Sequence, residues 1–446
     1  LMGPFLDASP RIVAKAAFLA CGPYRTPHAR IRARSLYSHT TPSTAFRGFG
    51  MPQLTWALES QLNIAAERLG LDTLDIRRHN LPAKGEILIP GDTPVDGDWS
   101  ESLEKAAMML EWGKKSGPAR GKSLALGIKN PIPDSVSHAL AKLHTDGSVT
   151  VAAGTTEMGQ GTKTVLAQLA AETLEITVER VTVVMGDTLA APFDLSTAAS
   201  RSVITMGNAV VSACRDILKQ LKEMAVEIGS LSCGAAAPAV PAESIVCIDG
   251  AVVMGDRRLK YEELLREYYG LNLGEVVGRG IYRGKRDLAH PLGGRTDFWE
   301  FIVTGAEVEV DKETGKLTLH KVVSVSDIGK AINPLQAKGQ EEGGALMGIG
   351  HTIMEQMIYS ETGRLLNGNS LDYRVPTTLD IPRHVECAFT ENADGPGPYG
   401  AKGIGESGCF AVAPAIAGAL FEAAGVRLRE LPLTPERVWR AVRDAR

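Results

Sequence analysis

"GTTEMGQGTKT", residues 154–164, sets glycines, a lysine and a threonine at the mouth of a helix, as a phosphate-binding loop does. A P-loop requires the lysine directly after its last glycine. Here Thr162 separates Gly161 from Lys163, and the third glycine of a dinucleotide fingerprint is missing after Gly159-Gln160-Gly161. Upstream, "HALAKLHTDGSVTVAAG" reads as strand, Asp-Gly turn, strand. Downstream, Val165, Leu166, Leu169, Ala170, Thr173 and Leu174 recur at helical spacing. The stretch is therefore a strand-to-helix turn. The N–H groups at such a helix start are expected to face outward and favour an anion.

Working outward, "LTWALESQLNIAAERL" (54–69) places Leu54, Leu58, Leu62, Ala65 and Leu69 on one helical stripe, with Gly70 as its stop. "GKKSGPARGK" (113–122) breaks the pattern and predicts a boundary near 115. Hairpins are expected at "VCIDGAVVM", "AEVEVDKETGKLTLHKVV" and "EQMIYSETGRLLN", and helices after the glycine clusters near 340 and 410. "TPERVWRAVRDAR" predicts a last helix with Thr434 as N-cap and Pro435 at its first position. Strand pairs mixed with helices predict an α+β fold, mixed sheets with packed helices.

The 446 residues are 44% hydrophobic at a mean hydropathy near zero, enough for two or three domains. With 48 basic and 52 acidic residues and no long single-sign run, nucleic acid and anionic membrane are poor candidates as main partners. No membrane-spanning stretch is expected, and "LMGPFLDASPRIVAK" lacks the apolar core of a signal peptide, so a cytoplasmic location is expected. Six cysteines (21, 214, 233, 247, 387, 409) contain no C-x-x-C pair and read as reduced buried thiols.

Four stretches combine glycine with a polar residue beyond what core packing requires: "TAFRGFGMPQ" (44–53), "GTTEMGQG" (154–161), "STAASR" (196–201) and "GPYGAKGIGESG" (397–408). Each has a plain reading. Arg47 could lie over neighbouring aromatics at the surface, and Gln160 could belong to a solvated helix start. Glu406 could be a first-turn glutamate favoured by the helix dipole. A partly desolvated glutamate ahead of "CFAVAPAIAGALF" is equally a general base.

Taken together, in this order, the four stretches resemble the molybdenum hydroxylases, specifically the later portion of the molybdopterin-binding subunit of xanthine dehydrogenase and aldehyde oxidase relatives. "RRHNL" (77–81) and "GQEEGGALMGIG" (339–350) extend the resemblance over nearly the whole chain. It implies residues 1–115 as the remaining part of a first molybdopterin-binding domain and 116–446 as a second. It implies that Arg47, Gly159, Gln160, Gly161, Ala198, Ala199, Ser200, Arg201 and Gln340 contact the pterin, its phosphates or the molybdenum ligands. Arg47 and Ala199 would act on the metal only through those ligands, without a direct side-chain bond. Glu406 matches the family's base, and Phe49 would stack on a flat substrate ring. The implied reaction is water-derived hydroxylation of an electron-poor carbon in an N-heterocycle such as a purine or pyridine. An aldehyde or acyl-CoA substrate, and a non-catalytic half completing a partner's pocket, are the alternatives.

The sequence departs from the family in two places. The earlier portion, with its Gly-Gly-x-Phe-Gly loop, is absent before Leu1, so a separate polypeptide carrying it, or a longer parent chain, is expected. "GIKNPIPDSVSHAL" (127–140) has Ile132 near where purine-oxidising relatives carry a second ring, and Lys15 stands roughly where they carry an arginine. Both are expected to face substrate. The cofactor is expected in its cytosine dinucleotide form. With no cluster motif or flavin fingerprint in this chain, an iron–sulfur subunit and a flavin (FAD) subunit are expected as partners.

Overall fold

The computed structural model describes residues 1–131, 135–232, 242–270 and 274–445. Four helices come first: α1 (Ser9–Phe18), α2 (Met51–Leu69), α3 (Thr73–Asn80) and α4 (Trp99–Met109). Next come β1 (Arg120–Lys129), the hairpin β2 (Val136–Leu143) and β3 (Val149–Ala153), α5 (Thr162–Leu174), β4 (Val181–Met185) and the long α6 (Ser202–Ser232). A small three-stranded sheet follows, β5 (Val246–Ile248), β6 (Ala251–Met254) and β7 (Arg257–Lys260), then α7 (Tyr261–Tyr269) and β8 (Val276–Arg283). The rest is β9 (Glu300–Val310), β10 (Leu317–Asp327), α8 (Pro334–Ile353), β11 (His384–Thr390), α9 (Val412–Ala424) and α10 (Pro435–Asp444).

The two larger sheets run β1-β9-β10-β11 and β4-β3-β2-β8, each mostly antiparallel with one parallel edge pair. The fold is α+β, with mixed sheets and packed helices as predicted. Helices α5 and α6 share one core with the second sheet. α9 and α10 cover one part of the first sheet, while α2 and α4 pack with another.

α2 buries a different face from the predicted leucine stripe. Leu54, Leu58, Leu62 and Ala65 are half-buried and Leu69 is exposed, while Thr55, Glu59, Asn63 and Ala66 are buried. The reason is a buried polar network. Glu59 accepts from the Arg77 guanidinium at 2.8 Å, from Tyr24 Oη at 2.6 Å and from Leu126 N at 2.9 Å, and Arg77 also donates to Asn63 Oδ1. Periodicity of apolar residues cannot register a face built from paired charges. "RRHNL" is thereby explained in part as structure: Arg77 fastens α3 to α2.

The other expectations divide. The hairpins β2–β3, β5–β6 and β9–β10 form as read. "EQMIYSETGRLLN" makes only an isolated bridge between Tyr359 and Leu365. The glycines of 339–350 lie inside α8 rather than ahead of it. A Cβ on Gly344 would stand 2.8 Å from Gly408 Cα, so this glycine lets α8 touch the backbone of the 407–409 turn. Thr434 caps α10 by accepting from Arg437 N. Ser407–Ala424, at mean hydropathy 1.5 over 18 residues, is long and apolar enough to span a membrane, contrary to the sequence reading. It is 78% buried and serves as core. Among the described residues Cys21, Cys214, Cys247, Cys387 and Cys409 are free thiols, and Cys233 lies outside them.

Candidate functional site

Segment 46–50 enters α2 through a run of left-handed backbone: φ is 98° at Gly48, 49° at Phe49 and 94° at Gly50. Phenylalanine rarely accepts this conformation, so the strain at Phe49 is held by its surroundings. The conformation points Arg47 at two distant segments. Its Nε donates to Gly405 O at 2.6 Å and its Nη2 to Gln340 O at 2.9 Å and Gln340 Oε1 at 3.3 Å. Among the described residues its Nη1 has one hydrogen-bond contact, Met347 Sδ at 3.9 Å. Arg47 thus joins the start of α2, α8 and the 401–406 segment across hundreds of residues.

Glu406 sits where these segments meet. Its Oε1 accepts from Gly48 N at 3.0 Å, and its Oε2 pairs with the Lys129 ammonium at the end of β1. The Lys129 side chain is fully buried, whereas Glu406 keeps 14% exposure. Burial pushes the Lys129 ammonium down to about 8, against the supporting charge of Glu300. Glu300 stands directly opposite Lys129 in the β1–β9 register. Its Oε1 accepts from Glu406 N at 3.0 Å, Ser407 N at 2.8 Å and Ser200 Oγ at 2.9 Å. Burial raises the Glu300 carboxyl above its ordinary value, with Lys129 opposing. A third buried carboxyl, Glu341 on α8, accepts from Ser407 Oγ and is pushed up to about 7 by burial. From the other side Lys402 anchors the segment through Asp327 at 2.8 Å and Asp96 at 3.0 Å.

These groups border a cavity of about 770 Å³. Its wall brings together Lys15, Arg47, Phe49, Gly159, Gln160, Ala198, Ala199, Ser200, Arg201, Gln340 and Glu406, residues contributed by six separate stretches. Six wall residues are basic (Lys15, Arg47, Lys129, Arg201, Lys330, Lys402) against one carboxylate, Glu406. Ala199 and Ser200 carry left-handed φ of 56° and 54°, a second strained spot on the same wall.

Several of the predicted residues have side chains engaged within the protein. Gly161 is not part of the wall: a Cβ there would strike the Gln336 side chain at 2.5 Å. The N–H groups of the α5 start do not wait for an anion, because the Glu157 carboxylate takes Gly159 N at 2.9 Å, Gly161 N at 3.0 Å and Lys163 N at 3.1 Å. Burial opposes but these backbone bonds prevail, and the Glu157 carboxyl lies below its ordinary value. Gln160 folds back on the same turn, accepting from Met158 N and donating to Thr156 O and Thr162 Oγ1. The Arg201 guanidinium is spent inside the protein on Asp194, Ser135, Ser137, Val136 O and Ser196 O. Lys15 is buried and donates to Asn130 O and Pro131 O. Burial, then the nearby Lys129 charge, holds its ammonium well below the usual lysine range. Ile132 lies outside the described residues.

Lys129, Glu300, Glu341 and Glu157 were not singled out from sequence. For Lys129 and Glu300 the available signal was a charge at the end of an uncharged, mostly apolar run within a strand, "LALGIK" and "EFIVTG". Buried charges of this kind are kept only when paired.

A sequence model described as "Molybdopterin cofactor-binding domain" matches residues 97–382, and a second of the same description matches residues 1–81. This chain belongs to the molybdenum hydroxylase family, as a molybdopterin-binding subunit. It is 32% identical over 426 residues to the putative xanthine dehydrogenase molybdenum-binding subunit XdhA of Escherichia coli strain K12, covering 91% of this chain and 54% of that protein. It is 29% identical over 465 residues to the 6-hydroxypseudooxynicotine dehydrogenase complex subunit gamma of Paenarthrobacter nicotinovorans, covering 98% and 56%. The fold superposes on quinoline 2-oxidoreductase from Pseudomonas putida 86 with a TM-score of 0.83 at 22% identity, over 99% of this chain and 59% of that one. The chain therefore spans a little over half the length of these relatives.

Proposed function

We propose that this molybdopterin-binding subunit carries the base and part of the cofactor cavity of an enzyme that hydroxylates an electron-poor carbon of an N-heterocycle, such as a purine or pyridine, with oxygen from water. The observation that carries the reading is the Glu406 carboxylate on the wall of a cavity whose other charged wall residues are all basic. Lys129, Arg201, Lys330 and Lys402 are paired with carboxylates and the Lys15 ammonium is held well below the usual lysine range, so Arg47 is the wall cation that an anionic pterin would meet. Arg47 makes no ion pair among the described residues, and its Nη1 has only a sulfur contact, so it keeps capacity for phosphate or oxo groups. Gln336 also lines the cavity, its amide packed against Gly161 with a buried Oε1 that has no hydrogen-bond partner among the described residues.

Arg47 and Gln340 would hold the cofactor, together with the backbone at Gly159 and Ala198–Ser200. When bound, the molybdenum centre supplies Lewis acidity and a two-electron sink. Glu406, held between Gly48 N and Lys129, removes the proton that hydroxylation releases. Phe49 lines the cavity with a ring face for a planar substrate. The pterin is proposed in its cytosine dinucleotide form, and electrons leave through iron–sulfur and flavin (FAD) subunits in the cytoplasm. Residues 1–115 are proposed to finish a first cofactor-binding domain and 116–446 to form a second. A polypeptide or chain portion corresponding to the relatives' earlier half closes the cavity.

The test is molybdenum analysis of the purified assembly, nucleotide analysis of the released pterin, and a screen of heterocycles and aldehydes with a dye acceptor. Turnover of heterocycles supports the proposal. Stoichiometric molybdenum with turnover of aldehydes alone overturns the substrate class.

A further inference from the structure

The reading of Glu406 as base leaves one feature beside it unused. β1 is apolar and buried from Leu124 to Ile128 and then ends in a fully buried lysine. Burying an ammonium costs several kcal/mol unless good geometry repays it, and apolar residues of similar size commonly serve stability as well. Stability alone therefore does not account for Lys129. Its placement does. Gly48 N holds Oε1 of Glu406 and the Lys129 ammonium holds Oε2, so the two oxygens are fastened by groups from different elements. Glu300, opposite Lys129 across the β1–β9 register, holds the backbone N–H groups of Glu406 and Ser407.

We propose that Lys129 is the positioning residue of this site: from the rigid end of β1 it fixes the rotation of the Glu406 carboxylate and keeps it ionised for proton abstraction. The proposal rests on Glu406 being the base. Orientation held to within a fraction of an ångström is worth far more to a reaction than the same contact in a mobile loop. Other charged or titratable groups that face the pair are Lys15 from α1, Arg47 from the 46–50 segment, Glu300 from β9, Glu341 from α8 and Cys409 from the 407–409 turn. None of these forms an ion pair with Glu406 among the described residues, whereas Lys129 does.

The experiment compares K129M, K129Q, K129R and E406Q in the cofactor-loaded enzyme. K129M and K129Q are expected to keep near wild-type molybdenum content and to lose roughly 10- to 100-fold in kcat. The acid limb of kcat/KM should move to higher pH by about one unit, because the neighbouring cation that favours the carboxylate is gone. K129R should restore the limb. A second readout needs no cofactor. In thermal unfolding, K129M strands the Glu406 carboxylate and E406Q strands the buried Lys129 ammonium, so the double variant should lose clearly less Tm than the two losses added. An unmoved acid limb in K129M and K129Q, or strictly additive Tm losses, overturns the proposal. Should K129M fail to fold, the contrast between K129Q and K129R decides by the same limb. If E406Q stays active, the base assignment itself fails. If E406Q is dead while K129M keeps the wild-type limb, only the role of Lys129 fails.

Discussion

Two glycine-bounded turns of this chain place a glutamate just before a helix, and they use it in opposite ways. At 154–161 the Glu157 carboxylate turns back on its own loop and accepts from Gly159, Gly161 and Lys163 N–H groups. At 403–408 the local N–H groups of Glu406 and Ser407 are taken instead by a carboxylate from another strand, Glu300. Glu406 is thereby released from capping its own turn and reaches the cavity, where Gly48 N and Lys129 hold it. The chemistry of a glycine-flanked glutamate depends on which carboxylate satisfies the nearby amides. An intruding Glu300 takes the local amides and leaves the Glu406 carboxylate free to face the cavity.

The largest effect should follow removal of the carboxylate that was set free. Glu406→Gln is expected to keep its molybdenum and lose about 10²- to 10⁴-fold in turnover, the usual worth of a general base. Metal analysis beside steady-state kinetics checks this, and more than a tenth of the activity remaining would return Glu406 to a structural role. Next comes Arg47→Ala, which removes the link between Gly405, Gln340 and the start of α2. Losing charge-assisted bonds worth about 1.5 to 3 kcal/mol should weaken cofactor retention roughly 10- to 100-fold. The readout is molybdenum content after gel filtration. Full retention with unchanged kinetics would sink the assignment.

Much of the cavity was legible before any coordinates, because four glycine-bearing stretches matched one family in order and the structure gathers them on one wall. Gly159, Ala198–Arg201, Gln340, Arg47, Phe49, Lys15 and Glu406 all lie there. What each residue does there was not legible. Side-chain commitments depend on partners far away in sequence: Arg201 is consumed by Asp194 and Ser137, and Glu157 by its own turn. The hairpins were legible from two-residue alternation. The buried face of α2 was not, because its core contacts are Glu59 and Asn63 paired with Arg77, which a count of apolar positions passes over. The α8 glycines were misplaced for a similar reason, since a helix may use Gly344 to approach Gly408 closely without ending there.

A pH experiment sharpens the comparison through the third carboxyl at the Glu406 turn. Glu341 is fully buried and its carboxyl is raised from 4.5 to about 7, chiefly by burial. Between those values the folded state keeps a proton that the unfolded chain has released, so stability falls as pH rises through that window. Above about pH 7 the penalty is complete, on the order of 3 kcal/mol at about 1.4 kcal/mol per pH unit. Glu341→Gln stays neutral and should lose less Tm than wild type between pH 5 and pH 8. Its amide gives back part of the gain, because the Oε2 position has no hydrogen-bond partner for a new N–H. Parallel melting curves at the two pH values would show that Glu341 does not hold its proton.

The smallest effect should come from the glutamate that stayed a cap. Glu157→Gln keeps one acceptor oxygen for the N–H groups of Gly159 and Gly161, leaves the Lys163 N–H facing an amide NH2, and removes the charge that makes those bonds strong. The site is partly open to solvent, so the cost should stay near that of a lost helix cap, about 1 kcal/mol, seen as a Tm lowered by a few degrees at pH 7. The wild-type carboxyl lies below its ordinary value, so its stabilisation is present at neutral pH and fades as the solution is acidified through the folded-state value. Wild type and variant should therefore melt closer together at pH 3 than at pH 7. Turnover should remain within roughly threefold of wild type, in contrast to the loss at Glu406, because Gly159 and Gln160 offer the cavity their backbone and no proton acceptor of their own. A collapse of turnover in Glu157→Gln with intact molybdenum and an unchanged Tm would erase the distinction between the two turns, and would make Glu157 a participant in the chemistry.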